Sequence, residues 1–200
     1  MRRATMLLVP ALLLAAGCNE DPIEIVAGSG GGTGQGFNVI VVDDPTLTPG
    51  GGGSVIDGTL EGAVRIGLRN QLGTLVDLGA PESFDLDLQD PDAGQVVVSG
   101  FRAPTGTYVG AEVRLENASA LIRQGSTIGS TVLTADGALD LGSGGIVVVD
   151  RALTPFTITD DTDTILLVDL NAETWVTLDN LDDGFVDEQD LIDAITVDLD

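Results

Sequence analysis

Between Asp179 and Leu191 the chain places Asp179, Asp182, Asp183, Asp187, Glu188 and Asp190 around a single glycine, Gly184. A chain that curls at Gly184 could turn Asp179, Asp183, the Phe185 carbonyl, Asp187 (directly or through water) and Asp190 toward one centre. Six to eight oxygen donors at about 2.3–2.6 Å are what calcium takes. These five residues are therefore the candidate metal ligands, and calcium is the candidate cofactor. Leu181 falls where another oxygen is wanted, so Asp182 or water would have to supply it. The same residues admit a reading without metal. Asp187 can cap a helix over Glu188 to Ile195, with Asp190 as the carboxylate three residues on and Val186 stapled to Leu191.

Elsewhere the missing residue types narrow the chemistry. The chain has no His and no Lys, and its 8 Arg stand against 32 acidic residues for a net charge of -24. Without His there is no His-based nucleophilic triad, no imidazole metal ligand and no imidazole base near neutral pH. Without a basic face there is nothing to hold phosphates, so nucleic acid is excluded as a partner. Catalysis would have to come from carboxylates, as in glycoside hydrolysis. Asp85 and Asp87 share one strand face, and Asp160, Asp161 and Asp163 cluster in a turn. Carboxylates this numerous fall close together by chance, so no catalytic residue is nominated. The chain reads as non-catalytic, with a carboxylate-dependent glycan hydrolase as the alternative.

The elements that must position these groups begin with a leader. Arg2 and Arg3 precede an apolar run from Met6 to Ala16, too short for a permanent membrane helix, and residues 1–17 read as an export signal. Leu14-Ala15-Ala16-Gly17-Cys18 follows, and the chain's one Cys is at the required place. That segment resembles a bacterial lipobox, which implies that Cys18 is the lipid attachment site and that the protein is anchored to, and does not span, a cell-envelope membrane. By the same resemblance, Asn19 in place of Asp implies the outer membrane in a Gram-negative host. Residues 18–36 turn polar and then Gly-rich. As a flexible tether, such a coil reaches roughly 20–25 Å.

Ordered structure is expected over 37–178. Phe37 to Val42 is apolar and β-branched, which suits a central strand. Val64, Ile66 and Leu68 alternate with Arg65, Gly67 and Arg69, and Phe84, Leu86 and Leu88 alternate with Asp85 and Asp87. In the organising stretch, Pro104 to Gly106 turns the chain, after which Val109, Ala111, Val113 and Leu115 point one way and Glu112, Arg114 and Glu116 the other. Turn signals recur at Asp57-Gly58, Asn70 to Gly73, Asn117, Asp136-Gly137 and Gly142 to Gly145. Phe156 to Asp160 and Thr164 to Leu170 read as a strand pair joined through Asp161 to Asp163. Trp175 to Leu178 closes the core. The fold class is an all-β, single antiparallel sandwich of Greek-key type, with an acidic loop and a short C-terminal helix over 179–200.

Two segments carry a resemblance. Pro104-Thr105-Gly106-Thr107-Tyr108 with Val113-Arg114-Leu115, and Phe156-Thr157-Ile158 with Ile165 to Val168 and Asp169-Leu170-Asn171-Ala172, resemble the bacterial and archaeal lipoprotein family called domain of unknown function 4382. Val39 to Pro45 would be its opening strand and turn. The resemblance spans about Phe37 to Leu178 and implies a membrane-tethered sandwich with no assigned activity. The acidic segment at 179–190 resembles a calcium loop of the dockerin or EF-hand type, with Asp190 in the dockerin form, which implies a calcium-dependent docking module as a further alternative. The functional expectation is a lipid-anchored envelope module that binds a protein or glycan, or has a structural role.

Overall fold

A computed structural model describes residues 37–43, 55–88, 95–98 (backbone), 101–159 and 164–199. Cys18, the tether and the Asp160, Asp161, Asp163 cluster lie outside the described residues. The spine is β6 (Gly106–Ile122), which pairs antiparallel with β2 (Gly58–Asn70). The far side of β2 is shared by β4 (Glu82–Asp87) and β3 (Leu75–Asp77). The far side of β6 is shared by β9 (Gly137–Leu141) and β10 (Ile146–Ile158). β12 (Phe185–Val186) adds to β9 in parallel and completes a seven-stranded sheet.

The expected phase of β6 holds where it matters. Ala111, Val113 and Leu115 are buried, Val109 is half-buried, and Glu112, Arg114 and Glu116 lie on the other face. Beyond Glu116 the buried set changes parity to Ala118, Ala120 and Ile122. Asn117 causes the change. It sits at φ 49, and its N–H donates to the Gly145 carbonyl at 2.6 Å, in the turn between β9 and β10. Asn117 was expected to end a strand as a turn; it is a left-handed residue within one, because Asn tolerates this φ and the extra residue advances the side-chain phase by one.

A second sheet runs β13 (Thr196–Leu199), β11 (Thr164–Asp169), β1 (Phe37–Val42), β5 (Gln95–Val98). β1 is its central strand, as read from its composition, with Phe37, Val39 and Val41 in the main core. The expected pairing of Phe156–Asp160 with Thr164–Leu170 does not form. β10 stays in the larger sheet, while β11 crosses to the smaller one and pairs in parallel with β1, Val39 opposite Leu166. A near-continuous apolar run suits such an interior position, whereas an edge hairpin would leave one face wet. The architecture is all-β, antiparallel except at β1/β11 and β9/β12. A small hairpin, β7 (Thr127–Ile128) and β8 (Thr131–Val132), stands apart.

Three short helices close the C-terminal end: α1 (Ala172–Trp175), α2 (Leu178–Asp183) and α3 (Glu188–Ala194). Trp175 and Val176 are buried, as expected of a core plug, while Leu178 is exposed. The Trp175 Nε1–H donates to the Leu170 carbonyl at 2.8 Å, which satisfies the one polar atom of a buried indole. The last strand, Thr196–Leu199, belongs to the smaller sheet, so the sandwich uses chain beyond 178.

Candidate functional site

The outward face of the larger sheet gathers charge by register. Asp77, Gly67, Glu112 and Asp150 stand in one row across β3, β2, β6 and β10. In the neighbouring row Arg65 and Arg114 are direct cross-strand partners. Like charges so opposed repel unless carboxylates intervene. Here each has its own carboxylate. Arg65 forms a two-point ion pair with Asp77, and Arg114 binds Glu112, Nε at 2.7 Å and Nη2 at 2.6 Å. Arg69 pairs with Asp150 and approaches Glu112 at 3.8 Å.

The protonation of the pair follows. The Arg65 hydrogen bond, backed by the Gly79 N–H at 3.1 Å, holds the Asp77 carboxyl below the usual carboxylate range. The Asp77 hydrogen bond and then its charge raise the Arg65 guanidinium in turn. Between Arg65 and Arg114 lies a cleft of about 30 Å³, lined also by Ile66, Gly67, Leu75, Asp77 and Glu112. One half of the face is thus a mixed-charge lattice. In the other half Asp85, Glu61, Ser119 and Asp140 make a row with no basic member.

β6 enters this face through an anchored turn. The Tyr108 hydroxyl donates to the Pro104 carbonyl at 2.7 Å, and its ring packs on Phe156 at a centroid distance of 5.8 Å. Burial raises the Tyr108 phenol, so it stays a hydrogen-bond donor.

A second polar group is buried where β1 and β11 end side by side. The Asp43 carboxylate accepts from the Ala172 N–H at 2.7 Å, and Asp169 accepts from the Asn171 N–H at 3.2 Å. Asn171, at φ 49, donates its side-chain N–H to the Ala194 carbonyl at 2.8 Å. Strand ends far apart in sequence are thereby tied to α1 and α3. These contacts join the opening strand to the closing segment.

The candidate acidic ligands lie in α2 and at the start of α3. Asp179 and Asp183 belong to α2, expected as loop, with Thr177 as its N-cap accepting from the Asn180 N–H at 3.1 Å and Gly184 at φ 72 ending it. Phe185 is in β12, and its backbone pairs with Asp140. Asp187 occupies the N-cap position of α3 without a side-chain cap bond, and Asp190 is in the first turn. Val186 and Leu191 are both fully buried, in keeping with the staple reading. Among the described residues no three His, Cys, Asp or Glu side chains are grouped to hold a metal ion. Asp179 and Asp183, four residues apart in α2, lie on one face of that helix, while Phe185, Asp187 and Asp190 belong to the elements that follow it.

Asp85 and Asp87 project from the exposed face of β4, in the acidic half. Sequence reading placed Arg65, Arg69, Glu112 and Arg114 on outward faces but could not pair them. Asp77 and Asp150 it passed over, because their partners are set by strand register.

The chain matches no family model, no curated protein and no solved structure.

Proposed function

We propose that this protein is a lipid-anchored cell-envelope module, held by acyl chains on Cys18 and lifted from the membrane by its Gly-rich tether, whose sandwich binds a ligand or partner and does not catalyse. The observation that supports binding is the Arg65–Asp77 and Arg114–Glu112 lattice, charged groups oriented on rigid strands around a cleft. A glycan hydrolase would need two carboxyls flanking the scissile bond, one of them desolvated to stay protonated. Asp85 and Asp87 are exposed, and the residue opposite Asp85 on β2 is another carboxylate, Glu61. That arrangement favours the binding reading over the hydrolytic one. The -24 charge keeps such a module soluble above the membrane and disposes it against nucleic acid.

The deciding experiment is fractionation of cells expressing the full chain or Cys18→Ser. The wild type is expected in the membrane fraction with incorporated lipid label, in the outer membrane for a Gram-negative host. Cys18→Ser is expected unlabelled and released or unprocessed. Unchanged labelling of the mutant would overturn the anchor.

A further inference from the structure

We infer that the cleft between Arg65 and Arg114 is a binding site for a neutral, hydroxyl-rich ligand, a sugar unit of an envelope glycan. The inference rests on the binding-module reading and names its ligand class. Gly67 makes the cleft. It lies between Asp77 and Glu112 in the row, and a Cβ there would stand 2.9 Å from Leu75 Cδ1, so a side chain would displace Leu75 and fill the floor.

The donors are held in place by their own ion pairs. In both arginines Nε and Nη2 are engaged by carboxylate, Asp77 for Arg65 and Glu112 for Arg114. Neither Nη1 has a hydrogen-bond partner among the described residues, and the two side chains are 36% and 41% exposed. A guanidinium fixed by its own ion pair presents its remaining N–H groups without having to be ordered on binding.

Charge then selects the ligand. Two cations and two carboxylates surround the cleft, so its own sum is neutral, and the whole chain carries -24. A small anion meets Asp77, Glu112 and that long-range field; a cation meets two guanidiniums. Hydroxyl groups both donate and accept. Adjacent sugar hydroxyls can accept from the guanidiniums and donate to the carboxylates, while Leu75 faces C–H groups. No aromatic side chain is among the described residues that line the cleft, so recognition here is by in-plane polar contacts and not by stacking. A cleft this small holds the edge of one sugar, with affinity on the order of millimolar. Many copies on one membrane would convert that into avidity for a polymer.

Saturation-transfer NMR on the lipidated protein in detergent micelles tests this, with maltotriose, cellobiose and chitobiose as neutral probes and glucuronate and inorganic phosphate as anionic ones. Transfer to at least one neutral sugar is expected, weakened about tenfold in Arg114→Lys, which keeps the charge and loses the planar fork. Asp87→Asn, in the acidic half, should bind as the wild type does. No transfer to any neutral sugar, stronger transfer to the anions, or an Arg114→Lys protein of unchanged melting temperature and unchanged binding would each overturn the inference. Membrane retention is read by fractionation of the cells from which the protein is purified. Failure of sugar binding with retention intact overturns the ligand class alone, whereas loss of Cys18-dependent retention overturns the module reading itself.

Discussion

Arg65 and Arg114 face each other across β2 and β6, and each is turned into its own ion pair, the one with Asp77 on β3, the other with Glu112 two residues back on its own strand. The opposition would be repulsive without those carboxylates. A pH dependence follows from Asp77. Its carboxyl is held below its ordinary value by Arg65, so it contributes stability that is complete above the unfolded-state pKa of about 3.9 and is lost as pH falls through the lower folded value. Asp77→Asn should lower stability slightly at neutral pH, and the difference should vanish as pH falls through the folded value of Asp77, leaving the mutant a flatter acid limb. The pair is exposed and screened, so the effect is small. Urea melts from pH 7 to pH 2 read it, and parallel acid limbs in wild type and mutant would count against the pair.

The phase of β6 makes a sharper prediction. Leu115 is buried in the core, so Leu115→Ala should cost about 2–5 kcal/mol. Glu112 faces outward in an ion pair, and Glu112→Gln, which opens no cavity, should cost less than Leu115→Ala. Equal losses in denaturant titrations would place β6 in the wrong phase.

The contact between Asp43 and the Ala172 N–H predicts a specific asymmetry. Asp43→Ala leaves a buried amide without its acceptor and should cost about 1–3 kcal/mol, while Asp43→Asn keeps an acceptor oxygen and should cost less. If the two variants melt together, the carboxylate is not what ties β1 to α1.

At the C-terminal end, α2 and calcium binding compete for the same residues. Thr177→Ala removes the N-cap and should cost about 0.5–2 kcal/mol, whereas Asp183→Ala, at the end of the helix where negative charge is unfavourable, should cost nothing. Calcium added to chelator-treated protein at high ionic strength should give no saturable heat. A saturable isotherm abolished by Asp183→Ala would show that α2 unwinds to form the metal loop.

Much of this was legible along the chain because it is local. A period of two buries Val64, Ile66 and Leu68 or Phe84, Leu86 and Leu88 wherever the strand lies, so strand phases and an all-β class follow from residue order alone. The composition likewise excluded imidazole chemistry, since no fold can supply side chains the chain lacks. Pairing is different in kind. Which strand meets which depends on competition among many apolar runs of similar propensity, and that competition sent Thr164–Asp169 to β1 instead of β10. Asp77 and Arg65 are twelve residues apart and Arg69 and Asp150 eighty-one, so their meeting is decided by register, which local pattern does not encode. The helix at Leu178–Asp183 shows the same limit. Its residues have the spacing of an oxygen-rich loop, and the capping bond from Thr177 together with the Asn180 side-chain bond to the Trp175 carbonyl tips them into a helix, because the buried Trp175 fixes where that helix must begin.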